Sequence, residues 1–437
     1  MFPPVCIRNF FTIFEPAAGC MKAPTTPDRT MPPAGKKICM LVYSFYESDN
    51  RVMRYARALV ERGDQVDVIA LSDGRQPPFE TLEGVNVHRI QRRERNERNK
   101  FAYLHRLLKF CVKSSFVLSR LHWKRRYDLI HVHNVPDFLV FSAWLPKATG
   151  ARIILDIHDI LPEFFANKFR KPENSVYVRL LKLIEKLSAR FANHVIISNH
   201  LWSEKAIARS ISKEKCSVFI NYVDLNLFRS RRTRNDGRFI MLYHGGLQRH
   251  QGLDLAIRAF DKVCRPNPGV EFHIYGGGSM KPELQALVQK LGLQDRVFLQ
   301  GSVPAREVAD IVANADLGIV AKRADSFGNE AYSTKIMEFM AEGVPVIVSK
   351  TKVDSFYFDD SVVRFFKSGD EDDLAAAMLD LLKNHGQRES LVRHAREYVA
   401  RNNWDTRKQK YWHLVDSLVA GTEFQRAGLS KGSTVSP

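Results

Sequence analysis

The stretch EAYSTKIMEFMAEGVPVIVS, Glu330 to Ser349, holds two carboxylates, Glu330 and Glu338, separated by seven residues just before an apolar run of strand type. Eight helical steps would place their backbones about 12 Å apart, beyond the roughly 5 to 9.5 Å that an acid/base pair cleaving a glycosidic bond requires. If both act, they touch different parts of a long ligand. A nucleotide sugar is such an object, with Glu338 accepting from ribose hydroxyls, as acids do in dinucleotide folds, and Glu330 holding the sugar. Two solvated surface glutamates are the competing reading, since the chain carries 48 acidic residues.

Between them Ser333 stands where a helix N-cap would be, so the N–H groups of Thr334, Lys335 and Ile336 are expected to face outward at the positive end of a helix dipole. A lysine in a first turn is unfavourable unless an anion such as a diphosphate offsets it; an exposed lysine is the alternative. YHGGLQRHQGLDLAI, Tyr243 to Ile257, reads as a strand, a glycine turn at Gly245 and Gly246, the basic pair Arg249 and His250, then a helix. Glycines let backbone approach phosphate, and the basic side chains could neutralise it. YGGGSM, Tyr275 to Met280, repeats the strand-to-glycine turn around Gly277, although as a dinucleotide fingerprint it is incomplete and an ordinary loop is the leading reading.

No metal is expected. His131 and His133 share one face of a strand, but no third ligand is evident near them in sequence, so packing or cleft hydrogen bonding is the expectation. Asp370 and Asp372 form a DxD that precedes a helical run, where helix capping explains it.

The elements that must position these residues alternate. Strand patterns at Lys37–Tyr43, Val66–Leu71, Leu129–His133, Arg152–Ile157, Val195–Ser198 and Ser217–Ile220 are interleaved with helical ones, including Asn50 to Arg62 and Val176 to Phe191. After a polar, turn-rich stretch, Asn221 to Gly237, alternation restarts with strands at Phe239–Tyr243, Val270–Tyr275, Val297–Gln300, Leu317–Val320 and Val344–Ser349. Helices follow near Asp372–Lys383, Gln387–Arg401 and Thr406–Val419. Such alternation predicts α/β architecture with two doubly wound, Rossmann-like parallel sheets, whose ligand crevices lie at strand C-terminal ends and face a cleft. The expected layout is a disordered leader over 1–35, an N-terminal domain over 36–222, a linker over 223–237, a C-terminal domain over 238–402, a terminal helix over 403–420 and a disordered tail over 421–437. The leader is a poor match to a signal peptide, and Met21 or Met31 is a possible true start.

The bulk composition fits. At 437 residues the chain exceeds what one core usually serves. The six cysteines are scattered without a disulfide or zinc spacing, which suits reduced cytosolic thiols. No apolar run is long enough for a spanning helix. The net charge of +18 is concentrated: residues 89–126 carry thirteen Lys or Arg against two Glu, interleaved with aromatic and aliphatic residues. That pattern suits an anionic membrane surface better than nucleic acid or a merely solvated face.

The order and spacing of HGGL, IYGGG, VFLQGSVP (Val297 to Pro304), the paired glutamates and MAEGVPVIVS resemble the nucleotide-binding domain of family-4 glycosyltransferases of the GT-B fold. The resemblance implies that backbone near Gly301 and Val303 holds the base, Glu338 the ribose and Glu330 the donor sugar. In the N-terminal half, VHNVPDFLV and DIHDILPE, each ending a strand pattern, resemble a bacterial subset that builds cell-surface or exported polysaccharides on lipid-linked acceptors. There the family's acceptor-side histidine falls on His158. The implied activity is a retaining hexosyl transfer from a nucleotide sugar, a UDP-sugar by default, by an enzyme peripheral to the inner face of the cytoplasmic membrane. A nucleotide-sugar epimerase and a catalytically silent glycan-docking module are the rival readings.

The chain departs from the family at two places. An arginine and a lysine common at the first glycine turn are replaced by Gly246 and Gln251, so the diphosphate falls to Arg249 with His250 and Lys335 assisting. The family's N-terminal glycine loop is also absent; SFYESDNRVMR stands there, with Asp49 and Arg51 as candidates to serve instead.

Overall fold

The computed structural model describes residues 35–93, 100–169, 171–172, 174–229 and 232–422. The expected leader, nearly all of the expected tail and two linker residues lie outside the described residues. The first body is built on eight strands: β1 Lys37–Phe45, β2 Gln65–Ser72, β3 Phe79–Leu82, β4 Val85–Arg92, β5 Leu129–His133, β6 Arg152–Ile157, β7 His194–Ile197 and β8 Cys216–Val218. They lie in the order β3-β4-β2-β1-β5-β6-β7-β8, parallel throughout except for the antiparallel hairpin β3–β4. The second body has six parallel strands: β9 Phe239–His244, β10 Val270–Tyr275, β11 Val297–Gln300, β12 Leu317–Val320, β13 Val346–Ser349 and β14 Arg364–Phe366. Their order, β11-β10-β9-β12-β13-β14, is the doubly wound one, with the strand order reversing between β9 and β12. Central strands are apolar on both faces because helices cover both; β1 buries Ile38 to Tyr43 without a break.

The β3–β4 hairpin is an element that the apolar pattern missed. Its turn is Glu83–Gly84, both at positive φ, as a two-residue hairpin turn requires. β4 does alternate, but its inward positions are Val85, Val87, Arg89 and Gln91, two of them polar. Arg89 is buried and ion-paired to Glu47 and Glu80. The basic segment 89–126 is therefore not one surface feature: it opens inside a sheet, passes through 94–99, which lie outside the described residues, and becomes the Lys100–Arg125 helix.

The terminal helix, Trp404–Ala420, follows the second body in sequence but packs on the first. Trp404, Tyr411, Leu414 and Val415 join the core under β1, β2 and β5. Trp412 donates its indole N–H to the Ala58 carbonyl at 2.9 Å, and Arg62 pairs with Asp416 at 2.8 Å. The chain thus crosses between bodies twice, after β8 and again near Asn403, where Val223 and Asn403 form a parallel bridge. Among the described residues no helix is long and apolar enough to cross a membrane.

Candidate active site

In the second body the strand-order reversal puts the ends of β9 and β12 side by side, and both glycine turns gather there. Gly245 donates to the Tyr275 carbonyl and Leu247 to the Gly277 carbonyl, each at 2.9 Å. Gly276, at φ 150°, has no room for a side chain: a Cβ there would lie 1.9 Å from the Gly245 carbonyl oxygen. The turns interlock backbone to backbone beside a pocket of about 200 Å³ lined by His244, Gly245, Gly246, Gly277, Ser302 and Val303 among others. Gly301, paired with Val303 in the sequence reading, is exposed and not part of that lining.

Lys335 reaches this turn from the short Thr334–Ala341 helix. It is buried, and a Cβ on Gly245 would sit 3.1 Å from its Cε and 3.5 Å from its Nζ. The ammonium donates to Gln251 Oε1 at 3.2 Å and to Ser333 Oγ at 3.5 Å, and lies 5.1 Å from the centre of the Tyr243 ring. These partners are neutral. Burial pushes its pKa down to about 8, with Lys322 adding to the effect and Glu338 opposing it. A cation held at a glycine turn with neutral partners is what an anionic ligand would complete. Lys335 thus reaches the side chain of Gln251 from another element.

Glu338, one turn along, is pushed up to about 7 by burial, against the pull of Lys335 and a hydrogen bond from Thr334. His244 Nε2 lies 3.4 Å from its Oε2; burial and Lys335 hold that histidine down to about 3, so it is neutral near pH 7. Thr334 and Glu338 also form one wall of a larger cleft of about 370 Å³. The opposite wall comes from the first body, with Asp49, Arg54, Arg57 and His158. His158 follows β6: its N–H donates to Asn134 Oδ1 at 3.0 Å, and its buried Nδ1 has no hydrogen-bond partner among the described residues.

Other expected residues differ in placement or in engagement. Glu330 is buried but lines neither cavity: its Oε2 lies 2.6 Å from Nζ of Lys205, and its carbonyl accepts from Asn199 Nδ2 at 3.1 Å, both from the first body. Arg249 is exposed in the Arg249–Gln251 turn and has no side-chain partner among the described residues. His250 packs its ring against Phe327 at 5.4 Å, and burial lowers its pKa, so it adds no fixed charge. Ser333 occupies the N-cap position without a side-chain cap, and its carbonyl takes the Ile336 N–H at 3.3 Å; that N–H is not free for a ligand as expected. Arg51 is also spoken for. It lines the larger cleft, but its guanidinium grips both oxygens of Asp156 at 2.7 Å and donates to the Phe219 carbonyl and Asn221. Asp49 caps the Asn50–Glu61 helix through Val52 N–H.

Comparison with known proteins matches both bodies to family models. Residues 48–221 match "Glycosyl transferase 4-like domain", and residues 226–398 match "Glycosyl transferases group 1". The chain belongs to the family-4-like glycosyltransferases of the GT-B fold.

Among curated relatives, the chain is 24% identical over 265 residues to the phosphatidylinositol N-acetylglucosaminyltransferase gpi3 subunit of Schizosaccharomyces pombe, covering 60% of this chain and 55% of that one. It is 29% identical over 245 residues to the lipopolysaccharide 1,6-galactosyltransferase of Salmonella typhimurium, covering 54% and 64%. The matched segment thus spans little more than half the length of the first of these relatives. Solved structures share the fold. Sucrose-phosphate synthase from Thermosynechococcus elongatus superposes with a TM-score of 0.72 at 20% identity over 89% of this chain and 100% of that one. Anabaena Alr3699/HepE in complex with UDP and glucose gives 0.67 at 19% over 88% and 100%. Membership in the family favours the transferase reading over the epimerase one.

The fold does bring a third polar group to His131 and His133, which the sequence did not reveal. Asp156 joins them, all three buried, with possible ligand atoms within 4.8 Å of one another. The donors are already engaged: His133 Nδ1 meets Asp156 at 2.9 Å, His131 Nδ1 meets the Tyr411 hydroxyl at 2.9 Å, and Arg51 covers both Asp156 oxygens. Burial opposes ionisation of Asp156, but Arg51 and His133 prevail and hold its pKa well below the usual carboxylate range. The Arg51 guanidinium places a positive charge beside the cluster. Asp370 accepts from the N–H groups of Asp372 and Asp373, so the DxD is a helix cap.

Proposed function

We propose that the transferase moves a sugar, with retention of configuration, from a uridine diphosphate sugar to a lipid-linked saccharide during cell-surface polysaccharide synthesis. The observation that carries the donor half is Lys335 at the Gly245 turn, a buried ammonium with neutral partners. In this reading the uracil enters the pocket beside Val303, Glu338 accepts from the ribose, and the diphosphate lies along Gly245 and Gly246 toward Lys335. Arg249, exposed at the same turn, swings onto the outer phosphate. Lys335 and the start of its helix then stabilise charge on the departing diphosphate, which takes the acceptor proton. His158 faces the transferred sugar from the opposite wall, and Glu330 is released from Lys205 to hold its hydroxyls. No step needs a metal.

Uridine is favoured because the fold is shared with a protein solved with UDP, and a lipid-linked acceptor because the relatives' names specify phosphatidylinositol and lipopolysaccharide. The acceptor is reached at the inner face of the cytoplasmic membrane, which the basic Lys100–Arg125 helix approaches. Thermal-shift and calorimetric titration with UDP, GDP and ADP, with and without magnesium, tests the donor assignment. Stabilisation by UDP alone, independent of magnesium and lost in Glu338→Ala, is the expected outcome. Binding of another nucleotide moves the base assignment; binding of none removes the donor site.

A further inference from the structure

The Lys100–Arg125 helix buries Leu107, Phe110, Ser114 and Leu118 against the first body, which fixes its orientation. The opposite stripe, Leu104, Leu108, Val112, Phe116 and Trp123, is apolar and open to solvent, with Val112 71% and Phe116 72% exposed. A second helix, Val176–Phe191, does the same at helical spacing with Val176, Leu180, Leu183 and Leu187. Both pack against the Asp137–Ala143 turn between them. Two exposed aromatics there make the surface continuous. Trp144 donates its indole N–H to Ser115 of the first helix at 3.1 Å, and Phe141 meets Phe191 of the second at 5.2 Å between ring centres.

Charge identifies the occupant. The first helix carries seven Lys or Arg and no acid; the second carries four and one acid, Glu185, which is buried and paired with Arg209. Basic residues adjoin the apolar ones along both stripes: Lys109 beside Leu108, Lys113 beside Val112, Lys182 beside Leu183, Lys186 beside Leu187. One helical step turns 100°, so each cation flanks the apolar stripe and can reach past it to a headgroup. Two copies meeting through this face by a two-fold axis would set cations against cations. An anionic bilayer satisfies both features at once, taking up the apolar stripe and neutralising its flanks.

We propose that these two helices, joined by Phe141 and Trp144, form one docking face for an anionic lipid bilayer. The face differs from the linear segment 89–126: Arg89 has no part in it, and half of it comes from a helix some fifty residues beyond that segment. It deepens the lipid-linked acceptor reading by fixing which side of the transferase meets the membrane.

Flotation of the full chain with vesicles of phosphatidylcholine plus phosphatidylglycerol, and of phosphatidylcholine alone, tests it. Three proteins are compared: the parent chain, a Leu183→Glu, Leu187→Glu double variant, and a Val112→Glu, Phe116→Glu double variant. All four positions are at the surface, and unchanged circular dichroism and UDP titration verify that the variants fold. The parent chain is expected to float with the anionic vesicles and not the neutral ones, and each double variant to bind at least about tenfold more weakly. Parent-like flotation of the Leu183/Leu187 variant overturns the two-helix face. Failure of the parent chain to float overturns lipid as the occupant, as does a dimer that both variants dissolve. UDP binding is read separately, so loss of the docking face is distinguishable from loss of the donor site.

Discussion

Nζ of Lys335 lies 3.2 Å from Oε1 of Gln251, a residue 84 positions earlier in the chain. By the resemblance to the family a lysine would be expected where Gln251 stands; Lys335 reaches that side chain from a different helix. In the proposed donor reading, Lys335 is the group that meets the diphosphate. Lys335→Met is expected to weaken UDP binding roughly 10- to 100-fold, the worth of one charge-assisted contact, and to leave uridine binding unchanged. Calorimetry with the two ligands side by side checks this.

The same lysine sets a pH dependence. With its pKa pushed down to about 8, Lys335 loses its charge as the pH rises through that value. Affinity for UDP is expected to be full below about pH 8 and to fall above it, approaching tenfold per pH unit, because the bound diphosphate favours the protonated lysine. Lys335→Met flattens the profile. A profile unchanged by the substitution would place the titrating group elsewhere.

Glu338 has the opposite sign from a salt-bridged carboxylate. Its pKa rises from an ordinary 4.5 to about 7 in the folded chain, so between those values the folded state binds the proton that the unfolded state has released. Its contribution to stability is complete below about pH 4.5 and is lost as the pH rises through 7. Glu338→Gln is expected to remove that slope, a difference of no more than about 3 kcal/mol across the window. Urea unfolding of both proteins at several pH values measures it.

Gly276→Ala places a methyl 1.9 Å from the Gly245 carbonyl, a contact with backbone that no rotamer change relieves. The two glycine turns must part, and the pocket they form opens with them. Nucleotide affinity is expected to fall by more than about tenfold while the distant first body stays intact. Titration by calorimetry, with the near-ultraviolet dichroism of both proteins as control, decides between a local and a global effect.

Tyr411 ties the terminal helix into the first body: its hydroxyl meets His131, and its ring lies 4.4 Å from that of Tyr55 between centres. Tyr411→Ala is expected to cost about 3–5 kcal/mol, as for other large buried aromatics. Tyr411→Phe costs about 1–3 kcal/mol, because it strands a buried histidine nitrogen. Denaturant unfolding of the two variants separates the packing from the hydrogen bond.

Local pattern carried most of the architecture. The bounds of β5, β6 and the Val176–Phe191 helix were legible to the residue, since unbroken apolar runs and helical spacing report burial directly. The two glycine turns were legible for the same reason: each follows a recognisable strand. The β3–β4 hairpin was not, because β4 turns Arg89 and Gln91 inward, and their partners come from elsewhere in the fold. Three further features depended wholly on tertiary structure: Arg51 on Asp156, Glu330 on Lys205, and the terminal helix on β5 through His131 and Tyr411. Periodicity tells which face of an element is buried, never what covers it. A charged side chain pairs with whatever the packing of distant elements brings within reach, and only the folded chain specifies that neighbour.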